Sequence, residues 1–140
     1  LKHSYFNIVL LLFVLFAACH SKSKKELIVN KWKCEKLEFA DSTNKAVSEK
    51  NDLQLAEAFL RNATYEFFGD GTFETVLNKE VKKGTYTLSE NEKDLLMVYN
   101  LGKSKKEKWE IIDITEGQMQ LKFTSKIPVV FTFIVYTEKF

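Results

Sequence analysis

Histidine is the side chain that most readily moves protons near neutral pH, and this chain of 140 residues has two, His3 and His20. Everything after residue 20 therefore lacks the base that a Ser-His-Asp or Cys-His nucleophile requires. Two N-terminal histidines, two cysteines and scattered carboxylates show no ligand spacing for zinc or iron, and the 5 glycines form no loop of the kind that cradles phosphate. Carboxylates are the remaining acid–base candidates, because a pair of them can share the roles of general acid and base. Glu66, Glu74, Glu110 and Asp113 fall in strand-like segments. Glu66 and Glu74 alternate out of phase with Tyr65, Phe67 and Phe73, so they are expected to face solvent. Asp113 shares parity with Trp109 and Ile111, which would either bury it against a partner or leave it solvated at a rim. The expectation is a protein that is no enzyme and uses no metal or cofactor.

Charge narrows the partners. With 21 Lys+Arg against 19 Asp+Glu the formal net charge is +2, far from the strongly basic face that nucleic-acid binding needs. Two lysine-rich stretches, 22–25 and 103–108, could touch anionic head groups but read as a solvated tether and a solvated loop. The two thiols remain, at Cys19 and Cys34.

Cys19 ends an unbroken apolar run from Ile8 to Ala18, preceded by Lys2 and His3 and followed by Ser21-Lys22-Ser23-Lys24-Lys25. Eleven residues match the apolar core of a secretory signal and fall short of the roughly 18 or more needed to span a bilayer. Residues 1–18 are read as a signal peptide. Leu15-Phe16-Ala17-Ala18-Cys19 resembles the lipobox of bacterial lipoproteins, in which small residues precede a cysteine that becomes the lipidated N-terminus. The resemblance implies acylation of Cys19, with residues 19–26 as the lipidated cysteine and its tether. No acidic cluster follows the cysteine, so a lipid-anchored protein of the bacterial cell envelope, facing the periplasm, is expected. Acylation would leave Cys34 no disulfide partner; in phase with Trp32, it reads as a small core residue.

Residues 27–140 are read as one domain. Most of it follows a period of two, interrupted by short clusters of turn residues, the pattern of an antiparallel sheet with one buried face. The expected strands are Val29–Phe39, Ala63–Phe68, Thr72–Leu77, Lys83–Leu88, Leu95–Asn100, Lys108–Ile114, Gln118–Thr124 and Val129–Tyr136. One segment departs from that period. In Asn51–Asn62 the residues Leu53, Ala56 and Leu60 form a helical stripe flanked by Leu55 and Phe59, with Asn51 and Gln54 as a capping pair and Ala40–Lys50 as a loop leading in. Eight sequential strands leave two raw edges, which closure into a barrel removes.

Within that order, Asn30-Lys31-Trp32, Phe67-Phe68-Gly69-Asp70-Gly71-Thr72-Phe73, Gly84-Thr85-Tyr86-Thr87-Leu88 and Trp109-Glu110-Ile111 look like the pattern of small lipocalin-like domains of bacterial, Bacteroidetes-type lipoproteins. The helix between the first two strands is similar to the lid of fatty-acid-binding proteins. The fold expected is all-β: an eight-stranded antiparallel up-and-down barrel with one short helix between its first two strands. An interior of this size is either filled by side chains or holds one small ligand. In the first case the protein is a structural or interaction module acting on another envelope protein. In the second it binds a small apolar ligand, lined by Trp32, Tyr65, Phe67, Phe73, Tyr86, Trp109, Phe123 and Phe133, and the choice turns on whether small inward residues such as Thr75, Gly84 and Thr85 leave a void.

Stable membrane anchoring takes more than one acyl chain, which an acylated Cys19 would supply. Cys19→Ser is expected to move the protein from the membrane pellet to the soluble fraction; a variant that still pellets would remove the basis for the anchor.

Overall fold

The strand-forming segments close on themselves. In a computed structural model, which describes residues 21–40, 47–100, 105–123 and 128–137 (side chains of 47–50, 52, 53 and 59 excepted), eight antiparallel strands form one barrel in chain order. They are β1 (Lys31–Phe39), β2 (Thr64–Phe67), β3 (Thr72–Leu77), β4 (Glu80–Leu88), β5 (Asp94–Tyr99), β6 (Lys105–Ile114), β7 (Gln118–Phe123) and β8 (Val129–Val135). Helix α1 (Lys24–Ile28) precedes β1, and helix α2 (Val47–Leu60) connects β1 to β2. The signal-like segment and Cys19 lie outside the described residues.

Closure is made by β1 and β8, paired from Trp32↔Val135 to Phe39↔Val129. Two bulges preserve the inward apolar face. One between Cys34 and Lys36 lets Cys34 and Leu37 both point inward, at 1% and 5% exposure. The other, between Ile111 and Asp113, does the same for Ile111 and Ile114. It also reverses the phase expected for Asp113, which lies exposed on the outer face with Ile112.

The hairpins are tighter than the sequence suggests. Asn78 and Lys79, both at positive φ (50° and 69°), make a two-residue connection, and β4 begins at Glu80 instead of Lys83. At the β2–β3 turn Gly71 takes φ 85°, and Asp70 Oδ1 accepts hydrogen bonds from the Thr72 amide (2.9 Å) and hydroxyl (2.6 Å). Those bonds hold the Asp70 carboxyl below its usual range. β6 likewise starts earlier than expected, at Lys105 instead of Lys108.

α1 closes one end of the barrel, and it begins within the stretch read as tether, at Lys24, and runs on to Ile28. Ser23 and Glu26 make a reciprocal capping box, Lys22 Nζ reaches Glu116 in the β6–β7 turn at 2.6 Å, and the Lys24 amide donates to Glu92 Oε2 in the β4–β5 turn. Ile28 is fully buried, and its carbonyl accepts a hydrogen bond from Trp32 Nε1 at 2.9 Å. α2 begins at Val47, so Asn51 lies inside the helix and is not its cap, and residues 47–50 are helical instead of loop. Ala56 and Leu60 pack on the core, while Leu55, expected beside them, is 71% exposed.

Trp32 joins α1 to the barrel interior through both its ring and its N–H. Trp32→Ala is expected to cost about 3 to 5 kcal/mol in equilibrium unfolding. A loss below about 1 kcal/mol would show that this ring does not support the closed end.

Candidate functional site

The interior is divided along the barrel axis. Toward α1 it is solid: Trp32, Phe67, Phe73, Leu95, Met119 and Phe133 are each at most 2% exposed. Phe67 packs edge-on against Tyr86, with ring centroids 5.0 Å apart, and Phe73 packs edge-on against Tyr99 at 5.1 Å. Gly84 adds no void here, because a Cβ at that position would collide with Val98 O and meet the Phe73 ring at 2.7 Å. Thr85 faces outward and is exposed. Trp32, Phe67, Phe73, Tyr86 and Phe133 thus fill space, and none of them borders the opening at the other end.

At that other end, beneath Leu60 of α2, lies a cavity of about 250 Å³. Its walls are Leu60, Tyr65, Thr75, Leu77, Lys82, Tyr99, Lys105, Glu107, Trp109, Phe123 and Phe131. Three of these, Tyr65, Trp109 and Phe123, belong to the set expected from sequence. Trp109 stands between Phe123 and Phe131, tilted against the first and edge-on to the second, with centroids at 4.9 and 4.8 Å, so three aromatic rings in contact make up one side of the wall. A wider depression outside the α1 end, bordered by Lys25, Asp70, Tyr86 and Glu92, is an open surface groove in which Tyr86 donates its hydroxyl hydrogen to Phe68 O at 2.8 Å and Asp70 is held by Thr72.

Two of the cavity's polar groups meet at one carboxylate. Glu107, with its side chain 12% exposed, accepts a hydrogen bond from Tyr99 Oη at 3.1 Å and pairs with Lys105 Nζ at 2.6 Å. Burial, with the neighbouring Glu107 charge, pushes the Tyr65 hydroxyl up to about 12 and raises Tyr99 as well. Both phenols are protonated at neutral pH, and the Tyr99 hydrogen is the one given to Glu107. Two further polar atoms, Thr75 Oγ1 and Trp109 Nε1, are buried without a hydrogen-bond partner among the described residues.

The carboxylates singled out from sequence sit elsewhere. Glu66 and Glu74 face each other on the outer surface, where Lys31 and Lys83 offset their charge. Glu110 pairs outside with Lys122 at 3.0 Å, and Asp113 is exposed. Burial and the Glu57 charge push the Cys34 thiol up to about 11, which keeps it protonated and unreactive. Among the described residues no cluster of His, Cys, Asp and Glu could hold a metal ion, and no helix is long and apolar enough to cross a membrane.

No family model matches the sequence, and no curated protein matches it. Solved structures do match its shape. A DUF4847 family protein from Bacteroides vulgatus superimposes with a TM-score of 0.56 at 8% identity, over 83% of this chain and 99% of that one. A lipocalin-like protein from Bacteroides uniformis superimposes with a TM-score of 0.53 at 14% identity, over 78% of this chain and 98% of that one. At such low identity the likeness concerns the fold, and this chain has the lipocalin-like barrel fold.

Tyr99, Glu107, Lys82 and Lys105 are cavity residues that sequence reasoning did not select. Glu107 was reachable, because it lies two residues before Trp109 and shares its inward phase once β6 extends to Lys105. Thr75 provides a test of the polar lining. A buried hydroxyl without a partner is destabilising, and valine has nearly its shape. Thr75→Val is expected to raise stability by about 1 kcal/mol, read as a higher urea midpoint at unchanged slope. A lower midpoint would show that the hydroxyl is already satisfied.

Proposed function

We propose that this protein is a membrane-anchored, periplasm-facing lipoprotein that binds one small, largely apolar molecule in the open end of its barrel. The observation that carries the binding role is the aromatic-walled cavity beneath α2. Interiors of this fold either fill with side chains or enclose a ligand, and here one end does each. The cavity favours binding over the alternative of a filled barrel acting only through its outer faces on another envelope protein. Removal of apolar ligand surface from water, at roughly 25 cal/mol per Å², drives such binding. Leu60, the last residue of α2, borders the cavity. The anchor and the location rest on the lipobox resemblance of residues 15–19 and the apolar run before it. Binding without chemistry suits a cavity whose one carboxylate is already engaged by Tyr99 and Lys105.

Native mass spectrometry of the chain from His20 onward, expressed in a bacterial periplasm, is expected to show a discrete adduct that disappears on denaturation. A bare mass, unchanged after exposure to a mixed lipid extract, would overturn the binding role and direct attention to protein partners.

A further inference from the structure

The charges and unpartnered donors around the cavity restrict what can occupy it. Of the two lysines on its wall, Lys105 Nζ lies 2.6 Å from Glu107, whereas Lys82 Nζ lies 3.8 Å from the exposed Glu80, a contact that leaves its charge largely solvated. A carboxylate or phosphate entering the cavity would face the Glu107 carboxylate with Lys105 already paired to it, and would have only the partly exposed Lys82 to meet. An ammonium would have to displace Lys105 from Glu107 and from the Tyr99 ring, whose centroid is 5.7 Å from Nζ. A neutral molecule meets neither obstacle. Trp109, which lines the cavity, carries an unpartnered indole N–H that can only donate, and Thr75, opposite Tyr65 on the β2–β3 ladder, carries a hydroxyl beside the same space. The indole N–H lacks what a hydrogen-bond acceptor would bring. A volume of about 250 Å³ corresponds to roughly eight water molecules at ~30 Å³ each, and so to a ligand of on the order of ten heavy atoms.

We propose that the occupant is a neutral, flat, mostly apolar molecule of that size with one hydrogen-bond acceptor, a carbonyl or ether oxygen or a ring nitrogen, which receives the Trp109 Nε1–H and the Thr75 hydroxyl. This deepens the binding role above and rests on it. The ring lies against Trp109, Phe123 and Phe131, and Glu107 acts as the residue that discriminates against anions.

The test uses four indane probes of nearly equal size: 1-indanone, indane, indane-1-carboxylate and 1-aminoindane. They are titrated into the full chain carrying Cys19→Ser, so that no acyl chain competes, while the two tryptophan indole N–H resonances are followed by NMR. Trp32 Nε1 already donates to Ile28 O, so the Trp109 signal alone is expected to move to the hydrogen-bonded position, and only with 1-indanone. 1-Indanone is expected to bind about tenfold tighter than indane, the worth of one hydrogen bond to an otherwise unpartnered group, and tighter than both charged probes. Thr75→Val is expected to weaken 1-indanone several-fold and leave indane unchanged. Trp109→Phe is expected to remove the preference for the ketone, provided the variant folds. Equal affinity for indane and 1-indanone, or tightest binding of the carboxylate or the amine, would overturn this inference and leave the binding role standing. Failure of all four probes to bind at millimolar concentration would overturn both.

Discussion

The pairing of β1 with β8 is the contact on which the rest of the structure depends. An eight-stranded sequential sheet without it would carry two edges of unpaired amides and carbonyls, each costly to bury and prone to pairing with other chains. With it, Trp32 meets Val135 and Phe39 meets Val129, and the inner faces of all eight strands enclose one space. The two bulges serve that enclosure. Each inserts one outward residue, near Glu35 and at Ile112, so that the strand bends while the apolar residues on both sides keep pointing inward.

A closed barrel still has two ends, and this chain treats them differently. At the α1 end the capping box of Ser23 and Glu26, the Lys22–Glu116 pair and the buried Ile28 hold a short helix across the opening. Large rings fill the space beneath it. At the other end the inward side chains include Thr75, Lys82 and Glu107, which are too small or too polar to complete a dry core. Two buried polar atoms without partners are unfavourable to folding, so they belong to the part of the molecule where rules of good packing give way to another purpose. The solid half supplies the stability that lets the open half keep them.

The outer face is organised by charge and contributes little energy. Glu66 and Glu74 stand directly opposite each other, an unfavourable neighbour pair offset by Lys31 and Lys83. Such exposed pairs are worth at most about 1 kcal/mol, and they serve mainly to keep the barrel exterior soluble. Val81, Leu96 and Ile112 are exposed singly between them.

The sequence by itself determined the strands, their order and the antiparallel barrel, because alternation of apolar and polar residues and short turns are local properties that leave few topologies open. It also placed Trp32, Phe67, Phe73 and Trp109 inward, since parity decides facing within an unbroken strand. Only the tertiary structure decided where parity breaks. The bulge before Asp113 turned an expected inward carboxylate outward, and the tight Asn78-Lys79 turn and the early start of β6 brought Lys82, Lys105 and Glu107 onto the ladder and into the cavity wall. Bulges and strand ends answer to the partner strand, which a single stretch of sequence does not contain. The cavity itself was beyond sequence for the same kind of reason: Gly84 promised a void that the Phe73 ring fills, and the space that does stay open lies at the other end, with Thr75 on its wall. Volume is a property of side chains from several strands meeting across a closed space, and it exists only once the barrel has closed.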